Sequence, residues 1–266
     1  MTLIHARRTR VAASIVATAA TLTLAVGSAP VSSAPAAPVA RGTVPGKYVP
    51  DLILWNHLGT AEQLAHSETG GPLRVTGTER HPVAVRGAGS AAVGDDSYLS
   101  ISRRGFFGAD RTQGAVEIFL EKRMRVSVPF KTPLPAIFGV RPYAGQWGPI
   151  DAYWSDGFTG HGGLQFEIVD AAGKIHAAND LGWDRVKVGH WVHVMFVWDI
   201  RGIAGSADRL RIYRDGTLVA TNTDEIKAIG PAKGPVPVLA THAYARLGHP
   251  ALVGDELLTW SRPQTP

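Results

Sequence analysis

The 266-residue sequence contains no cysteine, so no disulfide framework can hold it and stability must come from burial of apolar side chains. Helical periodicity is almost as scarce. Outside residues 60–64 no segment repeats its apolar residues every 3.6 positions, which excludes a helix bundle. Crossover helices are missing too, and that excludes a parallel sheet. A bilayer-spanning run is absent: Val11 to Val26 is apolar but too short to cross. Charge of one sign is also in short supply. The chain carries 27 basic and 22 acidic residues, and setting aside Arg7, Arg8 and Arg10 leaves 24 against 22. The densest basic cluster, Lys122, Arg123 and Arg125, reads as a solvated strand face. Nucleic-acid binding needs a concentrated basic face, so no nucleic-acid partner is expected.

Residues 1–40 have the build of a secretory signal: an arginine-rich start, the apolar segment, then the small-residue run SAPVSSAPAAPVA, with cleavage open after Ala29, Ala34 or Ala40. The expectation is a secreted, extracellular protein with no membrane span once the signal is removed. Residues 41–50 (RGTVPGKYVP) form a linker, residues 51–262 the folded domain and residues 263–266 a tail. The roughly 225 residues after the signal are ample for one core. Ser102-Arg103-Arg104-Gly105-Phe106-Phe107 looks like a twin-arginine export signal, but it lies in mid-chain with no apolar segment behind it and is read as a chance match.

Strand signals fill the rest. Residues 191 to 220 read as strand, ordered loop, strand, tight turn, strand, with Asp215-Gly216 predicting a type I′ hairpin turn. Leu218 and Ala220 are expected on one face of the returning strand. Leu52 to Trp55 is the first strand, and Thr60-Ala-Glu-Gln63 a capping box for one helical turn. Pro82 to Val93 and Ser97 to Ile101 read as two strands separated by a Gly-Asp-Asp turn. Gly114 to Val128 follows, with Val116, Ile118 and Leu120 on one face and Glu117, Phe119 and Glu121 on the other. Further strands are expected at Leu134 to Val140, Leu164 to Val169, Ile175 to Ala178, Val238 to Ala240, Ala245 to Leu247 and Asp255 to Trp260, and residues 141 to 163 read as a long loop excursion. Many short strands between Gly, Pro and Asp turns predict an all-β fold, a two-sheet antiparallel β-sandwich with little helix.

Trp191-x-His193-Val194, the closing Asp199 and LRIYRDGTLVA, with SYLSI, GAVEIFLEKR and GDELLTWSRP in order, resemble the laminin-G-like jelly roll of the concanavalin A-like lectin/glucanase superfamily. The resemblance covers residues 50 to 262 and implies a domain that binds sugar or protein more often than it catalyses. It also implies a structural calcium, for which Asp95, Asp96, Asp255 and Glu256 are the candidate ligands.

The segment YAGQWGPIDAYWSDGFTGH brings aromatic rings beside carboxylates, as the apolar faces and hydroxyl edges of sugars require. Tyr143, Trp147, Asp151, Tyr153, Trp154, Asp156 and His161 are therefore the candidate carbohydrate contacts; the competing reading has the aromatics folding back over a sheet edge or the core. A glucanase of this superfamily would show Glu-x-Asp-x-x-Glu on one strand. The nearest match, Glu167-Ile-Val-Asp170, puts its acids on opposite faces. A lyase would want a Tyr/His pair beside Arg, and Arg141, Tyr143 and His161 form no clear arrangement. His190 and His193 cannot share a metal from a regular strand, and His193 is expected to hydrogen-bond to backbone. No residue is assigned a catalytic role. The reading is a secreted, non-catalytic module that binds a polysaccharide or cell-surface glycan. A polysaccharide-degrading enzyme on the same fold and a protein-adhesion module with a protein partner are the alternatives.

Overall fold

In the computed structural model, which describes residues 50–81, 89–123, 136–139, 149–155, 163–232, 234–240 and 252–266, with backbone alone at 76–81, 92–97 and 155, strand pairing sets almost every position. In chain order the elements are β1 (Leu52–Asn56), α1 (Ala61–Ala65), β2 (Arg74–His81), β3 (Ser90–Ile101), α2 (Arg103–Phe107), β4 (Gln113–Lys122), β5 (Ala136–Phe138), β6 (Ile150–Ser155), β7 (Gly163–Val169), β8 (Ile175–Asp180), β9 (Trp191–Asp199), β10 (Leu210–Arg214), β11 (Thr217–Asn222), β12 (Val236–Ala240) and β13 (Leu252–Trp260). The antiparallel ladder runs β11-β10-β9-β4-β13-β3-β12-β5-β6-β7-β8, with β1 beside β13 and β2 beside β3.

One strand turns this ladder into a two-layer jelly roll. Ala91 and Ala92 of β3 pair with β13, whereas Leu99 to Ile101 pair with β12. Between them the register against β2 jumps from Thr78↔Val93 to Thr76↔Tyr98, leaving residues 94–97 surplus opposite Gly77. Such an excess bends and twists a strand, and here it makes the corner where β3 passes between layers. At the far edges β8 meets β10 and β11, closing the sandwich.

Period-two alternation decides what enters the core. Val116, Ile118 and Leu120 of β4, Val194, Phe196 and Trp198 of β9, and Leu164, Phe166 and Ile168 of β7 are fully buried there. Phe138 and Phe166 each lie 5.5 Å from Phe196, and Trp198 lies 6.1 Å from Phe166, within the range that favours tilted aromatic pairs. Burying each such ring contributes about 1.5–3 kcal/mol.

A smaller core sits on the outer face of the first layer. Ala115, Met195, Val197, Tyr213 and Trp260 are sealed there by Ile203, from the loop after β9. Asp199 Oδ1 accepts from Arg201 N at 2.8 Å, Ile203 N donates to Asp208 O at 2.9 Å, and Arg211 holds Asp208 at 2.8 Å and Ser206 Oγ at 2.9 Å. The loop is a lid over apolar surface.

Several expectations hold. Asp215 (φ 49) and Gly216 (φ 77) both have the positive φ of a type I′ turn. Thr60 caps α1, its Oγ1 accepting from Gln63 N at 3.0 Å. Others change. Val219 is surplus against β10, so Leu218 turns out to solvent while Ala220 packs inward. There is no Gly-Asp-Asp turn, because β3 runs through it, and β2 was missed because RVTGTERH shows no apolar alternation. The supposed export motif is α2: Ser102 Oγ accepts from Gly105 N, while Phe106 and Phe107 drive into the core. The excursion at 141 to 163 contains β6, an interior strand between β5 and β7. The stretch 245 to 247 lies outside the described residues.

Candidate functional site

Because β6 is interior, its two faces meet different fates. Ile150, Ala152 and Trp154 point into the core, and Asp151 and Tyr153 point away from it. Trp154 is 1% exposed, edge-on to Trp183 at 6.3 Å, with the Lys122 ammonium 4.8 Å over its ring. It offers no face to a sugar, which corrects the sequence expectation. Lys122 is corrected with it: it is 2% exposed, donating to the carbonyls of Trp183 (3.3 Å) and Asp184 (3.4 Å) rather than standing in water. Tyr143, Trp147, Asp156 and His161, with Arg141, lie outside the described residues.

Asp151 and Tyr153 instead join acids that the sequence did not connect to them. Asp151 is the register partner of Glu167, and Tyr153 that of Gln165, so these four side chains share one face of β6 and β7. The Tyr153 hydroxyl donates to Glu167 Oε1 at 2.5 Å. Burial, then the charge of Glu167 and this hydrogen bond, then Asp151, push the tyrosine pKa far up, so it stays a neutral donor. All four side chains are buried. This pair of acids forms between two strands, not along one. Asp170 goes elsewhere, accepting from His176 Nε2 at 3.1 Å.

Of the expected calcium ligands, the side chains of Asp255 and Glu256 are described. Glu256 Oε2 accepts from Trp55 Nε1 at 2.9 Å and Oε1 from His57 Nδ1 at 2.8 Å, so its carboxylate fastens β1 to β13. Asp255, fully buried, sits opposite Phe119. The backbone of Asp95 and Asp96 lies in the β3 corner, not in a turn. Calcium requires about six to eight oxygen ligands. Among the described residues no group of three or more His, Asp or Glu is placed to hold a metal. His193 also departs from expectation: its ring reaches Glu117 Oε1 at 2.7 Å, and its backbone N donates to Asp215 Oδ1.

An open concavity among the described residues lies elsewhere. A cavity of about 1140 Å³ is lined by Arg74, Tyr98, Ser100, Arg103, Arg104 and Arg111, with glycine and proline walls. Tyr98 and Ser100 alternate with the core residues Leu99 and Ile101, so they face out, and Arg74 pairs with Ser100 on the same side. In α2 Phe106 and Phe107 are buried, while Arg103 and Arg104 line the cavity. Arg103 Nη1 donates to Ala232 O. The backbone O of Arg111 accepts from the core residue Trp198 (Nε1, 2.8 Å), which fixes where its side chain starts. The Arg111 guanidinium is half-buried, Nη1 has no partner among the described residues, and burial followed by the charge of Arg103 lowers its pKa. It remains a cation. Ion-paired arginines among the described residues are Arg123, Arg201, Arg211, Arg214 and Arg262, none of them in this cavity. The sequence concealed this basic surface because its arginines come from three separate segments. The adjacent pair Arg103-Arg104 is the signal of it that the sequence carries.

Residues 135–252 match the Laminin_G_3 family model, described as the concanavalin A-like lectin/glucanases superfamily. Domain 4 of AbnA, a GH43 extracellular arabinanase from Geobacillus stearothermophilus solved in complex with arabinotriose, superposes with a TM-score of 0.54 at 14% identity, covering 81% of this chain and 96% of that one. The receptor binding domain of botulinum neurotoxin D matches with a TM-score of 0.54 at 10% identity, covering 81% of this chain and 50% of that one. The binding domain of botulinum neurotoxin DC, in complex with SialylT, matches with a TM-score of 0.55 at 12% identity, covering 80% and 48%. This chain thus spans about half the length of those toxin domains. No curated protein matches the sequence. Identities this low speak to fold alone: over residues 135–252 the chain is similar to the concanavalin A-like lectin/glucanases superfamily, and its strands form a jelly-roll β-sandwich.

Proposed function

We propose that the protein is exported and acts as a non-catalytic carbohydrate-binding module, with its ligand in the cavity beside β3 and α2. The observation that carries this is the chemistry of the lining. An amphipathic ring (Tyr98), a hydroxyl (Ser100) and several guanidinium forks face the space, and among the described residues no carboxylate does. Such groups can bind sugar, but hydrolysis by the common route needs two carboxyls across the scissile bond. The arabinanase domain bound to arabinotriose supports the reading by example. Export rests on the arginine-rich, apolar, small-residue order of residues 1–40.

The second reading, a hydrolase, draws on Asp151 and Glu167. Cross-strand partners have Cβ atoms about 5 Å apart, so their carboxyls can reach the spacing that retaining glycosidases use. Their burial argues against access to a polysaccharide. A glycan array followed by turnover assays on each scoring polysaccharide separates the two. Binding without turnover supports the first reading. Turnover that Glu167→Gln abolishes would replace it with the second, and silence across the array would shift the search to a protein partner.

A further inference from the structure

We infer that the glycan held in this cavity is anionic, its carboxylate or sulfate groups seated among Arg74, Arg103, Arg104 and Arg111; the inference rests on the cavity being a glycan site. Four guanidinium groups from β2, α2 and the segment after α2 line one concavity, and none has an acidic partner among the described residues. Arg103 and Arg111 are near enough for the charge of one to act on the other. That repulsion is kept because both are anchored, Arg103 at Ala232 O and Arg111 through its backbone at Trp198. A neutral sugar would leave the repulsion in place, whereas an anion between the two forks removes it. Guanidinium matches the two oxygens of a carboxylate or sulfate with paired N–H donors, which an ammonium cannot do.

The remaining residues decide what carries the anion. The volume, about 1140 Å³, is at the upper end of ligand pockets and exceeds what a free inorganic anion fills. Tyr98, half-buried beside Ser100, supplies a ring for the apolar face of a pyranose. Arg74 and Arg104 are exposed, with no hydrogen bond from their side chains to any described residue, and suit the charges of neighbouring units on a longer chain. Half-buried forks on Arg103 and Arg111 beside exposed ones on Arg74 and Arg104 describe a site for a repeating acidic polysaccharide.

The test titrates the mature chain with dextran sulfate, oligogalacturonate and neutral dextran, at low and physiological ionic strength, with poly-glutamate and duplex DNA as non-sugar polyanions. The expected result is binding of at least one acidic glycan about tenfold or more tighter than dextran, weakened by salt. Sulfated and carboxylated arms show which group is preferred. Arg104→Gln and Arg74→Gln should each weaken acidic-glycan binding about threefold to tenfold without moving the melting temperature, and Arg104→Lys should recover part of the loss. Dextran binding as tightly as the acidic glycans overturns this inference and leaves the glycan-binding reading standing. Binding of poly-glutamate or DNA equal to that of the acidic glycans overturns it as well, by showing a surface for any polyanion. Failure of every glycan overturns both.

Discussion

Trp154 separates a core residue from a sugar platform, and the two roles predict opposite phenotypes. Its indole is 1% exposed, stacked edge-on against Trp183 and roofed by the Lys122 ammonium. Replacing a buried tryptophan by alanine costs about 3–5 kcal/mol through lost transfer energy and a cavity. Part of that here is the tryptophan pair, about 0.5–1.5 kcal/mol, and part the desolvated cation–π contact, about 2 kcal/mol. At roughly 2–4 °C per kcal/mol for a domain of this size, Trp154→Ala should melt roughly 6 to 20 °C below wild type. Trp154→Phe keeps an aromatic face under the ammonium and should lose about 1–2 kcal/mol. Thermal melts followed by near-ultraviolet circular dichroism measure both, and calorimetric titration of Trp154→Phe with a bound glycan should return the wild-type affinity. A Trp154→Phe protein that melts like wild type but has lost glycan affinity would show that the ring faces ligand, and the burial argument would be wrong.

The Asp170 carboxyl is held below the usual range, first by its hydrogen bond from His176 and then by the Lys174 amide. A depressed folded-state pKa stabilises fully above the unfolded value near ~3.9 and is lost as pH falls through the folded value. The melting temperature of wild type should therefore drop more steeply than that of Asp170→Asn below about pH 5, and parallel curves would refute this. Asp180 has its pKa raised by burial despite Arg214, whose Nη1 lies 2.5 Å away. Arg214→Ala should cost about 1–3 kcal/mol in urea unfolding at neutral pH, and less as the stranded carboxyl protonates on acidification. A cost independent of pH would count against the pair. Gly216→Ala meets no atom within 4 Å and should cost about 1–2 kcal/mol of backbone strain alone. Gly139→Ala, also at positive φ, would collide with the Ile150 carbonyl and Asp151, and it should cost more than Gly216→Ala in the same unfolding assay.

Sandwich class, hairpin turn and the core face of β4 were legible because they depend on period-two alternation and on the positive φ that Asp-Gly supplies, both local properties. The cavity was not legible, since Arg74, Ser100 and Arg111 become neighbours only through pairing and the placement of α2. The same holds for Asp151 and Glu167, which are 16 positions apart in sequence and opposite one another in space. The segment around Trp154 misled for the converse reason. A dense aromatic run with acids looks alike whether it lines a groove or crosses a core, and only the strands on either side of β6 decide.

The seam between β1 and β13 carries a mechanical consequence. Leu52 lies opposite Trp260 and Asn56 opposite Leu257, so the segment leading into β1 and the segment leaving β13 depart from the same end of the ladder. Tension applied through those two segments loads the hydrogen bonds one pair at a time, as in a zipper, rather than all together in shear. Opening the first two pairs would already expose apolar surface, since Leu54 is fully buried and Trp260 belongs to the smaller core. Opening would then meet Trp55 and His57, both tied to the buried carboxylate of Glu256. The seam thus resists through apolar burial at its first teeth and through the Glu256 carboxylate from its third.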